Sequence, residues 1–487
     1  MYAIILRGLG FGDEGKGTIT AYLAHELGAK TVIRDSGGPQ GGHRVIDGSG
    51  REHTFSQFSS ATFQAGVNSY LSGGMMFKIP NFVIEARKLE HKGVIGAAER
   101  VKIDPACYLV TPMHTLLNRV KALAINKASR PGSVGMGVGE AVIDRENFAD
   151  QALRAIDCLN EEVLRQKLDW HYEQKLAAAQ AIADANKQDR RIAAILAEYR
   201  RWMPKKRILE QCQRFRVEYG HLLEPARDYF LSIKQAEYVL FEGTQGALLD
   251  PVWGFLPHVT KTCTTAKTAR KMVLEHMPSR KMITIGILRA YATRHGFGPF
   301  VTEESGLPQN LLDAHGSSRP WQGKFRAGWL DLVAARYGIA ANRGIDSLAL
   351  TNLDRLSELN RVKICVAYCY QGERMDLVDR FFEWQPCSGG ARLEAFKPCK
   401  KGEDRAGLAE VLFGCRPLEY RLFPGWKKPI GAAKEFKDLP MEARNYVSFL
   451  ESTEGLDVPV SVVSVGERSG QKFLHNPLEK TGDFCLT

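Results

Sequence analysis

The sequence predicts an α/β fold, in which a large, mostly parallel central sheet is flanked by helices and carries a helical subdomain. Three observations support this prediction. The apolar run 2–6 is followed by a glycine-rich loop, a helical pattern over 18–27 and a second apolar run over 31–34. A strand, a helix and a strand within about 35 residues form a βαβ unit, whose strands pair in parallel. Apolar runs return later in the chain, while the range 146–235 almost lacks glycine.

Each element follows from residue type and spacing. The first helix is predicted over 18–27, because Ile19, Leu23 and Leu27 share one face and Gly28 can end the helix. Short apolar runs of strand length predict further strands, which lie at 238–241, 282–288, 347–350, 362–368 and 460–465.

Two ranges differ in composition from the rest of the chain. Ala, Glu, Gln, Lys and Arg dominate 146–235, which predicts several amphipathic helices set into the α/β body as a subdomain. Pro, Gly, Cys and basic residues are common in 385–425, which predicts an irregular insertion. The whole chain, 1–487, is expected to form one domain that includes both ranges.

Composition excludes several classes of protein. Hydrophobic residues make up 44% of the chain and charged residues 25%, as in ordinary globular proteins. No apolar run has the length of a membrane span, and the N-terminus lacks the basic region and cleavage site of a signal peptide. Ten scattered cysteines without zinc spacing indicate reduced thiols, so we expect a cytoplasmic protein. The net charge of +11 favours phosphorylated metabolites over nucleic acid, because no nucleic-acid recognition module accompanies it.

The first glycine-rich loop has the pattern G-x-x-x-x-G-K at residues 10–16, between a predicted strand and a predicted helix. Backbone N–H groups of such a loop close around phosphate oxygens. The N-terminus of the helix and the charge of Lys16 add positive potential. The pattern therefore predicts nucleoside triphosphate binding, in a fold like that of P-loop nucleotide hydrolases.

The loop departs from the ordinary pattern in two ways. Gly17 stands where a serine or threonine normally binds magnesium, and the loop contains two acids, Asp13 and Glu14. Mg²⁺ held partly by Asp13 would offset the repulsion between these acids and a triphosphate. Asp13 could also take a proton from an acceptor. His43, at the end of a second glycine-rich loop, is predicted to face the phosphate as an acid.

An aspartate after a later strand bears on the identity of the base. Thr351-Asn352-Leu353-Asp354 follows the apolar run 347–350. Asp354 resembles the guanine-reading end of the N-K-x-D motif of GTP-binding proteins. Together with the phosphate loop, it predicts GTP as the donor.

These motifs together resemble the adenylosuccinate synthetase family over most of the chain. The matching segments, in chain order, are 12–17, 37–43, 241–250, 259–265, 292–300 and 328–331. The resemblance implies a homodimer that uses GTP, Mg²⁺, a purine nucleotide and aspartate. It also implies that the 6-oxygen of the purine attacks the γ-phosphate of GTP, and that the amino group of aspartate then displaces the phosphate.

The resemblance implies roles for individual residues. Asp13 would act as the base on N1 of the purine and bind magnesium together with the backbone carbonyl of Gly42, and His43 would stabilise the transferring phosphoryl group beside Lys16. The implied GTP site comprises Gly12, Glu14, Gly15, Lys16, Gly17, Thr18, Gly42, Asn352, Asp354, Ser464 and Gly466. The implied site of the acceptor nucleotide comprises Asp13, Gln40, Gly41, Gly135, Gln245 and Thr260. Lys324 and Arg326 would bind the amino acid.

The chain departs from the family pattern at positions that bind the acceptor and the amino acid. Val134 replaces a threonine of the loop 132–137, and the arginine that reaches a partner subunit has no clear match after Arg145. The arginine-rich loop before 328–331 retains only Lys324 and Arg326 as basic residues. Asn352 replaces the lysine of T-K-L-D, and Gln40 replaces an asparagine. These changes predict an acceptor that is either IMP or a non-standard 6-oxopurine nucleotide, with Lys261 as a candidate replacement contact.

Two alternatives to a ligase remain open from the sequence. The first is a catalytically altered nucleotide-binding or sensor protein that retains the fold; intact Asp13, Lys16 and His43 argue against it, while the altered amino-acid loop favours it. The second is a phosphatase or kinase that activates the acceptor and uses no amino acid.

Overall fold

Strands and helices alternate along most of the chain, as the βαβ pattern predicts. The computed structural model describes residues 1–125, 133–312, 321–398 and 405–478. Within these ranges the strands are β1 (Tyr2–Gly8), β2 (Thr31–Arg34), β3 (His43–Ile46), β4 (Glu52–Phe55), β5 (Asn68–Leu71), β6 (Met76–Phe77), β7 (Val101–Ile103), β8 (Tyr108–Leu109), β9 (Tyr238–Gly246), β10 (Lys281–Arg289), β11 (Ala292–His295), β12 (Phe325–Gly328), β13 (Leu330–Asp331), β14 (Ser347–Thr351), β15 (Arg361–Tyr370), β16 (Phe382–Cys387), β17 (Gly390–Phe396), β18 (Cys415–Pro424), β19 (Val460–Ser464) and β20 (Lys472–Leu474). The α-helices are α1 (Lys16–Glu26), α2 (Ile79–His91), α3 (Pro112–Ala124), α4 (Val138–Asn147), α5 (Glu161–Ala185), α6 (Arg190–Trp202), α7 (Lys205–Tyr219), α8 (Ala226–Ser232), α9 (Lys267–His276), α10 (Leu332–Ala341), α11 (Met375–Phe381), α12 (Leu408–Phe413) and α13 (Met441–Glu451).

The main sheet has the strand order β20-β19-β14-β10-β1-β9-β2-β5-β7. Its strands pair in parallel except for β20, which runs antiparallel to β19. Six of the predicted strands, at 2–6, 31–34, 238–241, 282–288, 347–350 and 460–465, lie in this sheet. The prediction of a large, mostly parallel sheet is therefore confirmed.

Both faces of the main sheet are covered, which explains why its strands are uninterrupted apolar runs. Side chains alternate between the faces of a strand. From β1, Ile4 and Leu6 pack with Ile19 of α1 on one face, whereas Ala3 and Ile5 pack with α8 and α9 on the other. The central strand thus carries the phosphate loop between two packed layers.

The second sheet corrects one prediction. The range 385–425, which we expected to be irregular, contains the end of β16 and all of β17, α12 and β18, apart from 399–404, which lie outside the described residues. β18 pairs with the predicted strand β15 from Arg361↔Pro424 to Tyr370↔Cys415. Because β18 lies at an edge, it tolerates Pro417 and Pro424, and pairing with β15 overrides its weak local propensity.

The range 146–235 is helical, as its composition indicates. It contains α5 to α8 and the end of α4. α5 and α6 pack on α3, and Phe215 of α7 contacts Phe77 beside the main body. Whether this helical layer is a separate subdomain stays a prediction. No helix in the described ranges combines the length and the apolar composition that a membrane span requires.

A buried polar cluster joins α3, α4 and α5. Nε2 of His114 lies 2.9 Å from Oδ2 of Asp144 and donates to it, since Nδ1 of His114 accepts from the backbone N–H of Thr111. Nδ1 of His171 lies 3.4 Å from the same carboxylate oxygen, and Nζ of Lys175 pairs with its other oxygen. Burial, followed by the neighbouring His171, lowers the pKa of His114 to about 3, although Asp144 opposes this shift. Burial also lowers the pKa of His171.

These two pKa shifts predict that the protein loses stability in mild acid. Below the ordinary histidine pKa of 6.5, the unfolded chain binds protons that the folded cluster does not. The free energy of unfolding should therefore fall as the pH drops from 6.5 towards 3, by up to about 1.4 kcal/mol per pH unit for each histidine. Urea unfolding between pH 7.5 and 5 measures this slope.

The matched variants are His114→Gln, which should make the slope shallower, and His221→Gln, which should not. His221 is exposed and pairs with Glu99 on the surface. An unchanged slope in His114→Gln would contradict the assignment of the pH dependence to this cluster.

Candidate active site

An open pocket of about 250 Å³ lies where β1, β9, β10, β14 and β19 end. In parallel sheets the carboxyl ends of the strands meet at one edge, where loops can converge on a ligand. Most of the residues that line the pocket come from six segments, which are 11–18, 40–46, 244–260, 289–297, 351–355 and 464–467, and Val134 and Gln322 complete the lining. Glu14 lies within the first segment but does not line the pocket. Of the predicted site residues, the pocket therefore brings together Gly12, Asp13, Gly15, Lys16, Gly17, Thr18, Gln40, Gly41, Gly42, His43, Gln245, Thr260, Asn352, Asp354, Ser464 and Gly466.

The phosphate loop turns by left-handed backbone conformations. Gly12 has φ +92° and Gly15, which precedes α1, has φ +86°, values that glycine adopts without a Cβ clash. Asp13 has φ +58°, which is uncommon for a residue with a side chain. Its carboxylate remains 43% exposed, lines the pocket, and lies 3.3 Å from Nε2 of His295. The loop thus directs one of its two acids outward.

The other acid points inward. Glu14 accepts hydrogen bonds from the backbone N–H groups of Gly10 (3.0 Å) and Gly12 (2.8 Å), and it pairs with Nζ of Lys16. Both members of this ion pair are buried. Glu14 does not line the pocket, so it stabilises the loop from within rather than facing a nucleotide. Lys16 does line the pocket, but Glu14 already balances its charge.

The second loop places His43 against α1. A Cβ at Gly17 would lie 2.6 Å from the Cβ of His43, a distance that packed atoms do not reach. The serine or threonine of ordinary phosphate loops would therefore collide with the second loop. This close approach explains why glycine follows Lys16.

His43 is oriented by a buried carboxylate. Its Nδ1 lies 2.6 Å from Oε1 of Glu242. The same carboxylate accepts hydrogen bonds from Ser60, from the backbone N–H at Oε2 and from the hydroxyl at Oε1. Although burial opposes ionisation, Arg34 and His43 hold the pKa of Glu242 below its ordinary value. Ionised Glu242 can only accept, so Nδ1–H of His43 donates to it and Nε2 is left for the pocket. Burial lowers the pKa of His43, and Glu242 offsets this only in part.

The predicted guanine-reading residues lie together at one end of the pocket. Asn352 and Asp354 follow β14, and Ser464 ends β19, the neighbouring strand. Burial raises the pKa of Asp354, whereas the nearby Arg355 opposes this shift. The side chain of Asp354 is 28% exposed, which leaves its carboxylate open to a ligand.

Several predicted acceptor residues line the pocket from the other side. Nε2 of Gln245 donates to the hydroxyl of Thr260 over 3.1 Å. Within the described part of the chain, neither polar atom of the Gln40 amide has a hydrogen-bond partner, although both are buried. A buried amide of this kind fits a polar ligand. Gly135 lies behind the pocket against Trp321, while Val134 reaches its wall.

The predicted amino-acid residues do not line the pocket. Lys324 is exposed, and Arg326 pairs with Glu303 over 2.8 Å and donates to the carbonyl of Gly298. Arg294 and His258, from neighbouring segments of the chain, line the pocket instead of these two residues. Lys261, the candidate replacement contact, is exposed and does not line the pocket either.

Several charged or titratable residues of the site had no role assigned from the sequence, among them Glu242, Arg289 and His295. Glu242 lies in β9, Arg289 ends β10 and His295 ends β11, and Glu242 and His295 belong to the matching segments 241–250 and 292–300. That position was the available signal, because a polar group in a buried strand needs a partner.

The contact between His43 and Glu242 predicts how the histidine titrates. Glu242→Gln removes a negative charge and an acceptor that both favour imidazolium, so the pKa of His43 should fall further, by about one pH unit or more. NMR titration of isotope-labelled histidine measures this change. Glu99→Gln, beside the exposed His221, is the control and should leave His43 unaffected. A rise in the pKa of His43 in Glu242→Gln would contradict the prediction.

The chain is similar along its length to proteins of one family. The family model for adenylosuccinate synthetase matches residues 5–387 and 401–473. The adenylosuccinate synthetase of Salinibacter ruber is 32% identical over 483 residues, covering 96% of this chain and 97% of that protein. That of Mycobacterium sp. (strain KMS) is 33% identical over 479 residues, covering 96% of each.

Two solved structures have the same fold. The fully ligated adenylosuccinate synthetase of Plasmodium falciparum matches with a TM-score of 0.77 and 21% identity, over 97% of this chain and 99% of that one. The succinoaminodeoxyadenylate synthetase (PurZ) of cyanophage S-2L, bound to dGMP and dATP, matches with a TM-score of 0.55 and 13% identity, over 98% and 95%. On the family model and the identity of the relatives, this chain belongs to the adenylosuccinate synthetase family, whose members are ligases that form a C–N bond with GTP.

Proposed function

We propose that this protein uses GTP to phosphorylate the 6-oxygen of a 6-oxopurine nucleotide, and then replaces that phosphate with the amino group of aspartate. The observation that carries the proposal is a single pocket lined by Asp13, His43 and Asp354. These are a carboxylate that can take a proton, an imidazole that can face a phosphoryl group, and a carboxylate that can read guanine.

Asp13 serves as the base in this proposal. Its side chain is partly exposed in the pocket, where it can reach the N1–H of an acceptor base. Removal of that proton places negative charge on the 6-oxygen and makes it a better nucleophile. His295 lies beside the carboxylate and helps to hold its direction.

His43 serves as the group that stabilises the transferring phosphoryl. Glu242 fixes Nδ1, so Nε2 is directed to the pocket. Phosphate oxygens beside the ring favour imidazolium, which raises the pKa of His43 above that of the ligand-free site. A bound triphosphate would therefore favour protonation of the His43 ring, which burial disfavours in the ligand-free protein.

The oxygen donors of the pocket fit Mg²⁺. Asp13 and the backbone carbonyl of Gly42 would hold the ion, and both residues line the pocket. Gly17 offers no hydroxyl, and Glu14 balances the charge of Lys16, so the site needs an additional positive charge. The bound ion would supply charge compensation for the phosphate oxygens.

The acceptor is proposed to be IMP or a deoxy, polyphosphorylated or otherwise modified 6-oxopurine nucleotide. Val134 reaches the pocket where the family has a phosphate-binding threonine, and its side chain cannot donate a hydrogen bond. The unpaired amide of Gln40 offers polar atoms elsewhere in the lining of the same pocket. We expect a modified nucleotide to react better than IMP. We also propose that the protein is a homodimer and that it acts in the cytoplasm.

A second candidate function is nucleotide binding without ligation. It is favoured by one observation, which is that Arg326 is held by Glu303 and Gly298 and does not reach the pocket. In this alternative the donor half of the site is retained, while no residue receives the amino acid.

A substrate screen separates these functions. GTP and ATP are tested against IMP, dIMP, ITP, dITP, GMP and dGMP, with and without aspartate, and adducts and released phosphate are measured. We expect an aspartate adduct, and a loss of turnover of about 10²-fold or more in Asp13→Asn. Phosphate release that does not depend on aspartate would indicate a phosphatase or kinase, and nucleotide binding without turnover would indicate a sensor. A clear preference for IMP would show that the loss of the threonine at 134 does not alter specificity.

Asp354→Ala should reduce the preference for GTP over ATP. The loss of a hydrogen-bonded carboxylate contact to guanine costs about 1–3 kcal/mol. The ratio of kcat/KM for GTP to that for ATP measures the effect. Asp376→Ala is the control, because Asp376 is exposed and pairs with Arg374 on the surface. If the ratio is the same in Asp354→Ala and the wild type, other residues read the base.

A further inference from the structure

Arg289 is a buried cation at the wall of the pocket to which the mechanism above gives no role. It ends β10, the strand beside β1, and is 6% exposed. Its register partner on β14 is Thr351, which directly precedes the Asn352–Asp354 turn. It lines the pocket together with Asp13 and Asp354.

Neutral groups hold the guanidinium in place. Nη1 donates to the backbone carbonyl of Asp13 over 2.9 Å, and Nη2 donates to the hydroxyl of Tyr291. That hydroxyl donates in turn to the carbonyl of Leu311 over 3.1 Å. Over the described ranges, Nε of Arg289 has no hydrogen-bond partner and its guanidinium forms no ion pair with a carboxylate. Two of its five N–H donors are used. Its charge acts on the carboxylate of Asp354, where it opposes the rise in pKa, but within the described ranges the two groups form no direct ion pair.

The other cations near the phosphate loop have their charge or their donors engaged. Lys16 pairs with Glu14, and Arg326 pairs with Glu303. Arg294, which stacks on Phe11 of the phosphate loop, also forms no ion pair in the described ranges, but it donates three hydrogen bonds, to the carbonyls of Pro299, His258 and Phe297. A buried guanidinium without an ion-pair partner costs free energy unless an anion binds beside it. Arg289 is therefore positioned to receive an oxyanion at the phosphate loop.

We propose that Arg289 binds the terminal phosphate of the donor nucleotide. The proposal rests on the proposed function in one respect, that the donor is a nucleoside triphosphate. The hydrogen bond to the carbonyl of Asp13 fixes the guanidinium to the phosphate loop itself and supports the left-handed backbone of that residue. The remaining N–H groups form a planar fork, which matches phosphate oxygens. Arg289 thereby supplies charge that Lys16, paired with Glu14, cannot.

Nucleotide binding tests the proposal without ligase turnover. The affinities of the wild type, Arg289→Met and Arg289→Lys for GTP, GDP and GMP are measured with Mg²⁺ present. In Arg289→Met we expect GTP to bind about 10- to 100-fold more weakly, as the loss of charge-assisted hydrogen bonds implies, with a change of less than about threefold for GDP and GMP. Arg289→Lys should recover part of the GTP affinity, because it keeps the charge without the fork.

Arg270→Met is the matched control. Arg270 is a partly buried arginine whose guanidinium donates to Asn342, Thr284 and Gly344, and it does not line the pocket. Its loss should lower stability without changing the ratio of GTP to GDP affinity. If Arg289→Met does not fold, the Arg289→Lys variant is the test. The proposal is then overturned if the ratio of GTP affinity to GDP affinity in Arg289→Lys equals that of the wild type.

Three further outcomes would overturn the proposal. The first is equal weakening of GTP and GDP in Arg289→Met, which would mean that Arg289 only supports the loop. The second is an unchanged nucleotide ratio with a raised KM for aspartate, which would mean that the oxyanion is the carboxylate of the amino acid. The third is a wild type that discriminates GTP from GDP with no change in either variant. A wild type that binds no GTP at all would instead contradict the proposed function.

Discussion

The site depends on one buried carboxylate, that of Glu14, around which the phosphate loop is folded. It accepts two backbone hydrogen bonds and an ion pair from within the loop. A Cβ at Gly8 or Gly246 would lie 2.3 or 2.4 Å from its oxygens, so these glycines are required by its presence. Because Glu14 turns inward, its neighbour Asp13 is directed outward at φ +58°. The outward direction of Asp13, the proposed base, is thus a consequence of the buried contacts of Glu14.

The same principle of local neutralisation recurs around the pocket. Glu14 pairs with the charge of Lys16, while Glu242, which Arg34 helps to keep ionised, orients the ring of His43, whose pKa burial lowers. Such pairs stabilise a ligand-free protein, since they avoid unbalanced buried charge. They also reduce the attraction for an anionic ligand. Within the described ranges, Arg289 and Arg294 line the pocket without an ion-pair partner, and the Mg²⁺ that we propose would add further positive charge.

Much of the fold could be predicted from the sequence, because parallel strands buried on both faces are uniformly apolar and loops with glycine are distinctive. β18 could not, since an edge strand with two prolines is stabilised by its partner β15 and not by its own propensity. In the site, the residue types of the two loops identified the pocket. Spacing alone did not show that Glu14 faces inward or that Glu303 engages Arg326, because side-chain direction and pairing across the chain depend on tertiary structure.

The 2.6 Å approach between a Cβ at Gly17 and the Cβ of His43 interlocks the two loops. An ordinary phosphate loop obtains its metal ligand from a hydroxyl at this position, and here that hydroxyl and the imidazole compete for one volume. This chain therefore has, in place of a helix hydroxyl, a histidine that lines the pocket and that we propose faces the phosphoryl group. A serine or threonine at position 17 would displace His43, so a hydroxyl could be introduced there only if the second loop changed as well.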